Sequence, residues 1–389
     1  MPDVHAKLSA SGAHRWIACP GSYSLEKDIP DKSSEAAQEG TVAHSLAEAM
    51  IKYNNGTISK TEFNRKYKAI KESQYFCEEM DDCIRSYADQ VWEIFNEIKK
   101  DTPDAILESE QRLDFSEYVP GGFGTGDVVI ITDGVLQIID LKYGKGVRID
   151  AMDNPQLRLY GIGAVSEWDM LYDIRSVRMT IIQPRLDHIS TEELSIGELR
   201  KWAEEKVKPA AEEALSCKGS FHPGEVQCRF CKAQATCRAR AEENLKLAQY
   251  EFKDPPQLTD DEIADVLSRV DELVRWASDV KDYALKTAVD DGVYYPGWKL
   301  VEGRSNRIYT DEDKIRDALT AEGYTEEEIY KKKLLGVTAM QKLLGKKKFE
   351  ELIGDYIDKP EGKPVLVPES DKRPALNKAK EAAEDFKED

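Results

Sequence analysis

Gly124–Gly146, GTGDVVIITDGVLQIIDLKYGKG, contains two runs rich in β-branched residues with Asp133 and Gly134 between them. An Asp-Gly pair between such runs is a strong signal of a β-hairpin and favours a two-residue type I′ turn. In the register that this turn imposes, Asp127 lies directly opposite Asp140. We therefore expect a hairpin in which two carboxylates meet across neighbouring strands.

The predicted hairpin places these like charges in an apolar setting. Directly opposed residues have Cβ atoms about 5 Å apart, and like charges there are destabilising. Lys142 shares the face of the two acids, because side chains alternate along a strand. Apolar residues occupy both faces, namely Val129, Ile131, Leu136 and Ile138 beside the acids and Val128, Ile130, Val135 and Ile139 opposite them. A hairpin that is apolar on both faces is central and covered, and buried carboxylates resist ionisation unless a cation offsets their desolvation.

A divalent metal between Asp127 and Asp140, with Lys142 alongside, suits the hydrolysis of a phosphodiester. The metal would hold the attacking water, and the lysine would orient that water or stabilise the transition state. A surface hairpin with ordinary ion pairs is the alternative, since the short pattern D…D-x-K has many false matches.

The flanking sequence indicates an α/β fold. Helical periodicity covers residues 41–53 and 74–100, and strand patterns cover 105–113 and 176–183. A helix that begins at Pro155, with Asn154 as its N-cap, lies between the hairpin and the last of these strands. Helical patterns resume at 196–216 and 259–289.

Composition sets limits on function. The chain has 389 residues, 41% of them hydrophobic, which is enough for one large or two ordinary domains. Its net charge of −19 has the wrong sign for general nucleic-acid binding, so any such site must be local. We find no Walker-type phosphate loop, no apolar run of membrane-spanning length and no secretory signal pattern. We therefore expect a cytoplasmic protein with reduced thiols.

Four cysteines form a separate pattern, with Cys228, Cys231 and Cys237 close together and Cys19 near the N-terminus. Thiolates with this spacing suit either tetrahedral zinc or an iron-sulfur cluster, and zinc is the commoner of the two. The three other cysteines, Cys77, Cys83 and Cys217, are expected to be buried thiols.

Together these motifs resemble the PD-(D/E)XK nucleases, in particular the RecB-type, AddB-type and CRISPR-adaptation branch. The matching motifs are G-x-x-D at Gly124–Asp127, D-x-K at Asp140–Lys142, Q-x-x-x-Y at Gln156–Tyr160 and G-T-x-x-H at Gly40–His44. The resemblance covers roughly residues 8–240. It implies a restriction-endonuclease-like core, that is, a central mixed sheet flanked by helices.

The resemblance also implies roles for individual residues. His44, Asp127, Asp140 and Leu141 would hold Mg²⁺ or Mn²⁺, with Lys142 assisting the attack of water. Gln156 and Tyr160 would touch DNA or support the site. Independently of the resemblance, Glu110 lies on the strand before the hairpin, where it would complete the metal shell or form a structural ion pair. Cys19, Cys228, Cys231 and Cys237 would hold a 4Fe-4S cluster, with zinc as the less favoured alternative. Ordinary explanations also exist, a contact of His44 with Glu48 one helical turn away and a core position for Tyr160.

The C-terminal part resembles a phage-associated group of these nucleases. We expect a nuclease core at 1–245, a mainly helical α+β extension at 258–369 with a hairpin at 292–309, and a disordered charged tail at 370–389. The implied function is a DNA-end-processing exonuclease of phage replication or recombination, acting in the bacterial cytoplasm. Its expected partners are DNA and a phage single-strand-binding or annealing protein, without any membrane. A catalytically silent DNA-binding or partner-recruiting scaffold is the alternative.

Overall fold

A five-stranded mixed sheet with the strand order β1-β2-β3-β4-β5 forms the centre of the computed structural model. The structure describes residues 6–30, 34–246, 258–301, 311–330, 334–353 and 356–357. The strands are β1 (Ile106–Asp114), β2 (Phe123–Ile131), β3 (Gly134–Leu141), β4 (Ile174–Gln183) and β5 (His188–Ser195). Only β3 and β4 run parallel, and the other neighbours are antiparallel. The predicted α/β class and the mixed sheet are confirmed, whereas β5 was missed.

The β2–β3 hairpin has the predicted register. Val128 pairs with Ile139 and Val129 with Ile138. The predicted type I′ turn is wrong, because Gly134 has a positive φ of 84° and Asp133 does not. External contacts shape this turn: the N–H of Asp173 donates to Asp133 Oδ1 at 2.7 Å, and the N–H of Gly134 donates to the Asp173 carbonyl at 2.8 Å.

Helices cover both faces of the sheet, as the apolar pattern of the hairpin predicts. One core contains Val129, Ile131, Leu136 and Ile138 together with residues of the helices that begin at Ala13, Pro155 and Ile196. The other contains Val128, Ile130, Ile139 and Leu141 with residues of the helices that begin at Glu35 and Glu78. The hairpin is therefore the shared wall of two hydrophobic cores.

Sixteen α-helices occur in the described residues. The first eight are α1 (Ala13–Ala18), α2 (Gly21–Glu26), α3 (Glu35–Asn54), α4 (Lys60–Lys71), α5 (Glu78–Asp101), α6 (Pro155–Trp168), α7 (Ile196–Trp202) and α8 (Lys208–Leu215). The others are α9 (Glu225–Arg229), α10 (Arg238–Leu245), α11 (Asp260–Leu267), α12 (Val270–Asp290), α13 (Glu312–Ala321), α14 (Glu326–Ile329), α15 (Val337–Leu344) and α16 (Lys346–Ile353). Asn154 caps α6 as predicted, accepting the N–H groups of Gln156 and Leu157. The long helix predicted at 259–289 is two helices, α11 and α12.

The chain divides into two compact units, Met1–Val293 and Tyr294–Asp389. The boundary predicted between 245 and 258 falls mainly on 247–257, outside the described residues. Helix α12 belongs to the first unit, where its Glu272 and Asp279 bind the buried Arg240 of α10. The predicted tail at 370–389 and residues 302–309 of the predicted hairpin also lie outside the described residues, whereas residues 292–301 are described and form no strand. Among the helices that are described, none is long and apolar enough to cross a membrane.

Candidate metal site and cysteine cavity

A histidine and two carboxylates converge beside β2. His44 of α3, Glu110 of β1 and Asp127 of β2 each offer one ligand atom, and these atoms lie within 4.8 Å of one another. Glu110 occupies the position of β1 opposite Asp127 in the register of the two strands. Imidazole nitrogen and carboxylate oxygens together suit a divalent cation. The structure thus contains a group of residues that could hold a metal ion.

The charge of Asp127 acts on Asp140, as expected for neighbouring acids, but only Asp127 belongs to the ligand group with His44 and Glu110. The β2–β3 pairing ends at Val128 and Ile139, one step before the two acids. Beyond that pair, Asp127 Oδ2 accepts the backbone N–H of Leu141 at 2.7 Å. Asp127 Oδ1 lies 3.1 Å from His44 Nδ1. Because the carboxylate replaces a backbone acceptor of the ladder, it turns towards α3 and joins His44.

Glu110 is the residue of this group whose backbone is unusual. Its φ is 54°, in the left-handed region that is costly for residues other than glycine. Such strain persists where surrounding contacts impose it, commonly at functional sites. Burial and the negative charges of Asp127 and Glu48 raise the pKa of Glu110 to about 7. This carboxyl group therefore holds a proton more readily than an ordinary glutamate does.

Protons compensate for the clustered negative charge. Burial would lower the pKa of His44, but the charges of Asp127 and Asp140 outweigh it and raise that pKa to about 9. Burial conversely favours the neutral form of Asp127, while the His44 cation and the Leu141 N–H keep its pKa low. The predicted alternative contact of His44 with Glu48 is not what the structure shows, since Glu48 pairs with Lys52 at 2.7 Å.

Asp140, Lys142, Gln156 and Tyr160 form a second network next to this group. Lys142 Nζ lies 3.0 Å from Asp140 Oδ2 and donates to Gln156 Oε1 at 2.8 Å. The Gln156 amide donates to the Tyr160 hydroxyl at 3.1 Å and approaches Asp140 Oδ1 at 3.4 Å. Burial raises the pKa of Asp140 against the attraction of Lys142. Sequence reasoning therefore grouped these four residues correctly, although Asp140 lies outside the 4.8 Å ligand group.

The two glycine motifs differ in what their glycines do. A Cβ on Gly124 would lie 2.5 Å from Cε1 of Tyr160, so only glycine allows this ring to close against β2. A Cβ on Gly40 would meet nothing within 4 Å, and the hydroxyl of Thr41 bonds within α3 to the Ala37 carbonyl. Packing against Tyr160 explains why residue 124 is glycine, whereas no contact explains the glycine at position 40.

Tyr87 is a residue of the site that sequence reasoning missed. It lines the same small pocket as His44, Glu48, Glu110 and Asp127. Its hydroxyl is buried and has no hydrogen-bond partner among the described residues. Tyr87 lies on the apolar face of α5, so its sequence position is indistinguishable from that of a core residue. A buried hydroxyl without a partner at a polar pocket indicates room for a further ligand or water.

The four predicted cysteines line one cavity. Cys19, Cys228, Cys231 and Cys237 surround it, together with Arg240. The backbone N–H of His222 donates to the sulfur of Cys19 at 3.3 Å, and that of Gly224 to the sulfur of Cys228 at 3.4 Å. Burial raises the pKa of Cys231 to about 12. The thiol of Cys231 would therefore ionise at neutral pH only beside a compensating cation.

Polar contacts tie this cavity to the N-terminus. Glu26 of α2 accepts the guanidinium of Arg15 and the backbone N–H of Lys232, both at 2.7 Å. Arg15 also donates to the Phe230 carbonyl at 3.1 Å.

The prediction that the other three cysteines are buried is wrong, since Cys77 and Cys217 are exposed and Cys83 is half-buried.

Fold and site together define an α/β protein with a His/Glu/Asp group suited to a metal and a separate cavity lined by cysteines. Residues 5–374 match the model of a family described as "Protein of unknown function (DUF2800)". The chain therefore belongs to the DUF2800 family. Among solved structures it is similar to SSO0001, with 18% identity and a TM-score of 0.22 over 57% of this chain and 95% of that one. A TM-score this low identifies no shared fold.

Proposed function

We propose that this protein is a Mg²⁺- or Mn²⁺-dependent deoxyribonuclease with a PD-(D/E)XK core. The observation that carries the proposal is the convergence of His44, Glu110 and Asp127 beside the Asp140–Lys142 pair. Paired acids and a lysine at adjoining strand ends suit phosphodiester hydrolysis. Processing of DNA ends during phage replication or recombination is the proposed setting.

The residues present fit a divalent metal. His44, Glu110 and Asp127 offer an imidazole nitrogen and two carboxylate oxygens within 4.8 Å of one another, and the buried carboxylate of Asp140 lies close to this group with Lys142 Nζ 3.0 Å from its Oδ2. The pKa values of His44 and Glu110 are raised, so protons on these two groups offset the negative charge that a metal cation would otherwise offset. A bound metal would replace those protons, because ligating groups bind in their deprotonated forms. His44, Glu110 and Asp127 would hold the ion, with Asp140 beside them.

When bound, the metal would lower the pKa of a coordinated water and stabilise charge on the phosphoryl oxygens. The chain's own residues would perform the remaining tasks. Lys142 supplies a fixed cation next to Asp140, where it can orient the attacking water or stabilise negative charge. Gln156 accepts a hydrogen bond from Lys142 and donates one to Tyr160, so it fixes the position of the ammonium. The Leu141 N–H holds Asp127 in its ligating orientation.

The test is digestion of 5′- and 3′-labelled single-stranded and duplex DNA with Mg²⁺ or Mn²⁺. We expect cleavage by the wild type and a loss of about 10²-fold or more in the Lys142→Gln and Asp140→Asn variants. Lys145→Gln is the matched control, because Lys145 is exposed in the loop that follows β3. Circular dichroism checks that each variant is folded. Full cleavage by both site variants would remove the proposed site, and DNA binding without cleavage in any metal would favour the catalytically silent scaffold.

We also propose that the four cavity cysteines hold a 4Fe-4S cluster. Thiolates around one zinc ion lie about 3.8 Å apart, given the Zn–S distance and tetrahedral angle. Among the described residues, no three of these sulfur atoms come within 4.8 Å of one another. Wider spacing favours a cluster, in which each thiolate binds a different iron. The N–H groups aimed at Cys19 and Cys228 support thiolate sulfur there.

Anaerobic purification tests the cluster. The protein should be brown and contain iron and acid-labile sulfide, and Cys231→Ser should lose both. Cys217→Ser is the matched control, because Cys217 does not line the cavity. Colourless protein with stoichiometric zinc would replace the cluster by a zinc site.

A further inference from the structure

Helix α4 carries a concentration of positive charge in an acidic protein. Its sequence, KTEFNRKYKAIK, contains five basic residues and one acidic residue, whereas the whole chain has a net charge of −19. Lys60, Arg65, Lys68 and Lys71 are all exposed. Within the described part of the chain, none of these four makes an ion pair with a carboxylate within 4.0 Å. Lys71 Nζ lies over the rings of Tyr67 and Phe76, at 5.5 and 5.6 Å from their centroids, and none of the four charges is balanced by a paired carboxylate in this part of the chain.

Apolar contacts hold this helix in a fixed orientation. Phe63, Tyr67 and Ile70 turn towards the core that α3 and α5 form with the sheet. The ring of Phe63 stacks on Tyr53 of α3 at 4.8 Å and on Tyr67 at 5.7 Å. Because the aromatic side is anchored, the basic side chains project from a rigid support rather than from a loop.

Helix α4 also borders the candidate metal site. Lys66 Nζ lies 3.6 Å from Glu48 Oε1, and Glu48 lines the pocket of His44, Glu110 and Asp127. Lys66 thus joins the helix that carries the exposed basic side chains to a residue of the pocket wall. A substrate that passes this site would meet α4 at its edge.

We propose that the exposed face of α4 binds the sugar-phosphate backbone of a nucleic acid strand that enters the metal site. At 1.5 Å per residue, Lys60 and Lys71 are about 16 Å apart. That length corresponds to about five successive phosphates of one duplex strand. Unpaired Lys and Arg side chains release counterions when they contact phosphates, which favours a polyanion over an isolated anion. The proposal rests on the nucleic-acid substrate of the proposed function and adds the surface that binds it.

The test compares two double variants of equal charge by fluorescence anisotropy of labelled DNA, without added divalent metal. Arg65→Gln/Lys68→Gln removes two charges from α4, and glutamine keeps a high helix propensity. Lys281→Gln/Lys286→Gln removes two exposed charges from α12 as the control. We expect the α4 variant to bind about tenfold or more weakly, with the slope of log K against log salt smaller by about two. The control should keep the wild-type affinity and slope.

Wild-type affinity and slope in the α4 variant would overturn the inference, as would equal weakening in both variants. Binding is measured without cleavage, so DNA binding that depends on α4 would support the inference even if no metal activates hydrolysis. If the wild type cleaves DNA and the α4 variant binds DNA normally, the inference about α4 is wrong while the proposed nuclease function stands. Loss of binding to phosphatidylserine vesicles, with DNA binding unchanged, would assign the helix to a membrane surface and also overturn it.

Discussion

Substitution of Arg240 by methionine should destabilise the junction between α10 and α12. The side chain of Arg240 is 1% exposed and binds Glu272 at 2.7 Å and Asp279 at 2.5 Å. It also donates to the Gln234 carbonyl at 3.2 Å. Methionine fills a similar volume but leaves two carboxylates without this cation.

The magnitude follows from what remains around each carboxylate. Glu272 keeps a second partner, Arg275, at 2.9 Å. Asp279, with a side chain that is 18% exposed, loses the partner that the structure shows for it. Removing one member of a buried pair costs about 3–5 kcal/mol, and the partial exposure of Asp279 places the loss near 3 kcal/mol. Asp279→Asn should cost only about 1–2 kcal/mol, because Arg240 keeps Glu272.

Urea unfolding measures the loss, and hydrogen exchange locates it. Amides of α10 and α12 should lose protection in the Arg240→Met variant, while those of β2 and β3 should not. In the double variant Arg240→Met/Asp279→Leu, the loss should be smaller than the sum of the single losses, because the uncompensated charge is gone. A loss below about 1 kcal/mol in Arg240→Met, or strict additivity, would refute the reasoning.

Three further predictions concern the metal site. Gly124→Ala should cost about 1–3 kcal/mol in thermal unfolding, because the new Cβ would overlap the Tyr160 ring 2.5 Å away; an unchanged melting temperature would contradict this close approach. Metal-free protein should lose stability as the pH rises from 4.5 to 9. In the folded state the pKa is about 7 for Glu110 and about 9 for His44, and both values lie above those of the unfolded chain. The stabilisation from each protonated group is therefore present at low pH and is lost when that group loses its proton. Denaturant midpoints across this range measure the loss, Glu110→Gln should flatten the part below pH 7, and a flat wild-type profile would disprove the assignment. Tyr87→Phe should change the stability of the metal-free protein by less than about 1 kcal/mol, since its buried hydroxyl has no partner to lose among the residues that the structure describes; a larger loss in urea unfolding would reveal a partner.

The hairpin and its register could be predicted because they depend on local patterns. The two-residue turn at Asp133-Gly134 specifies the pairing of Val128 with Ile139, because the length of a hairpin turn fixes the register of the strands that it joins. The network of Asp140, Lys142 and Gln156 could also be predicted from sequence, because it joins the end of a strand to the first turn of the next helix. The turn type could not, because Asp173 supplies contacts from a distant part of the chain.

The membership of the ligand group depended on tertiary structure. Alternation places Asp127 near Asp140, but it does not predict that the Asp127 carboxylate accepts the Leu141 N–H and lies in a ligand group with His44 and Glu110. Glu110 joins because its φ of 54° accompanies a half-buried position opposite Asp127, which no local propensity favours. Tyr87 enters the pocket through the packing of α5.

Local sequence thus determined the elements, the hairpin pairing and the chemical types of residue available: acids, a lysine, a histidine and four separated cysteines. Tertiary structure decided which of them meet, bringing residues 19 and 228–237 to one cavity and His44 to Asp127 across 83 positions of the chain. The physical reason is that strand and turn preferences act between neighbours. The approach of distant side chains is set instead by burial of both sheet faces and by the hydrogen bonds that buried polar groups must find.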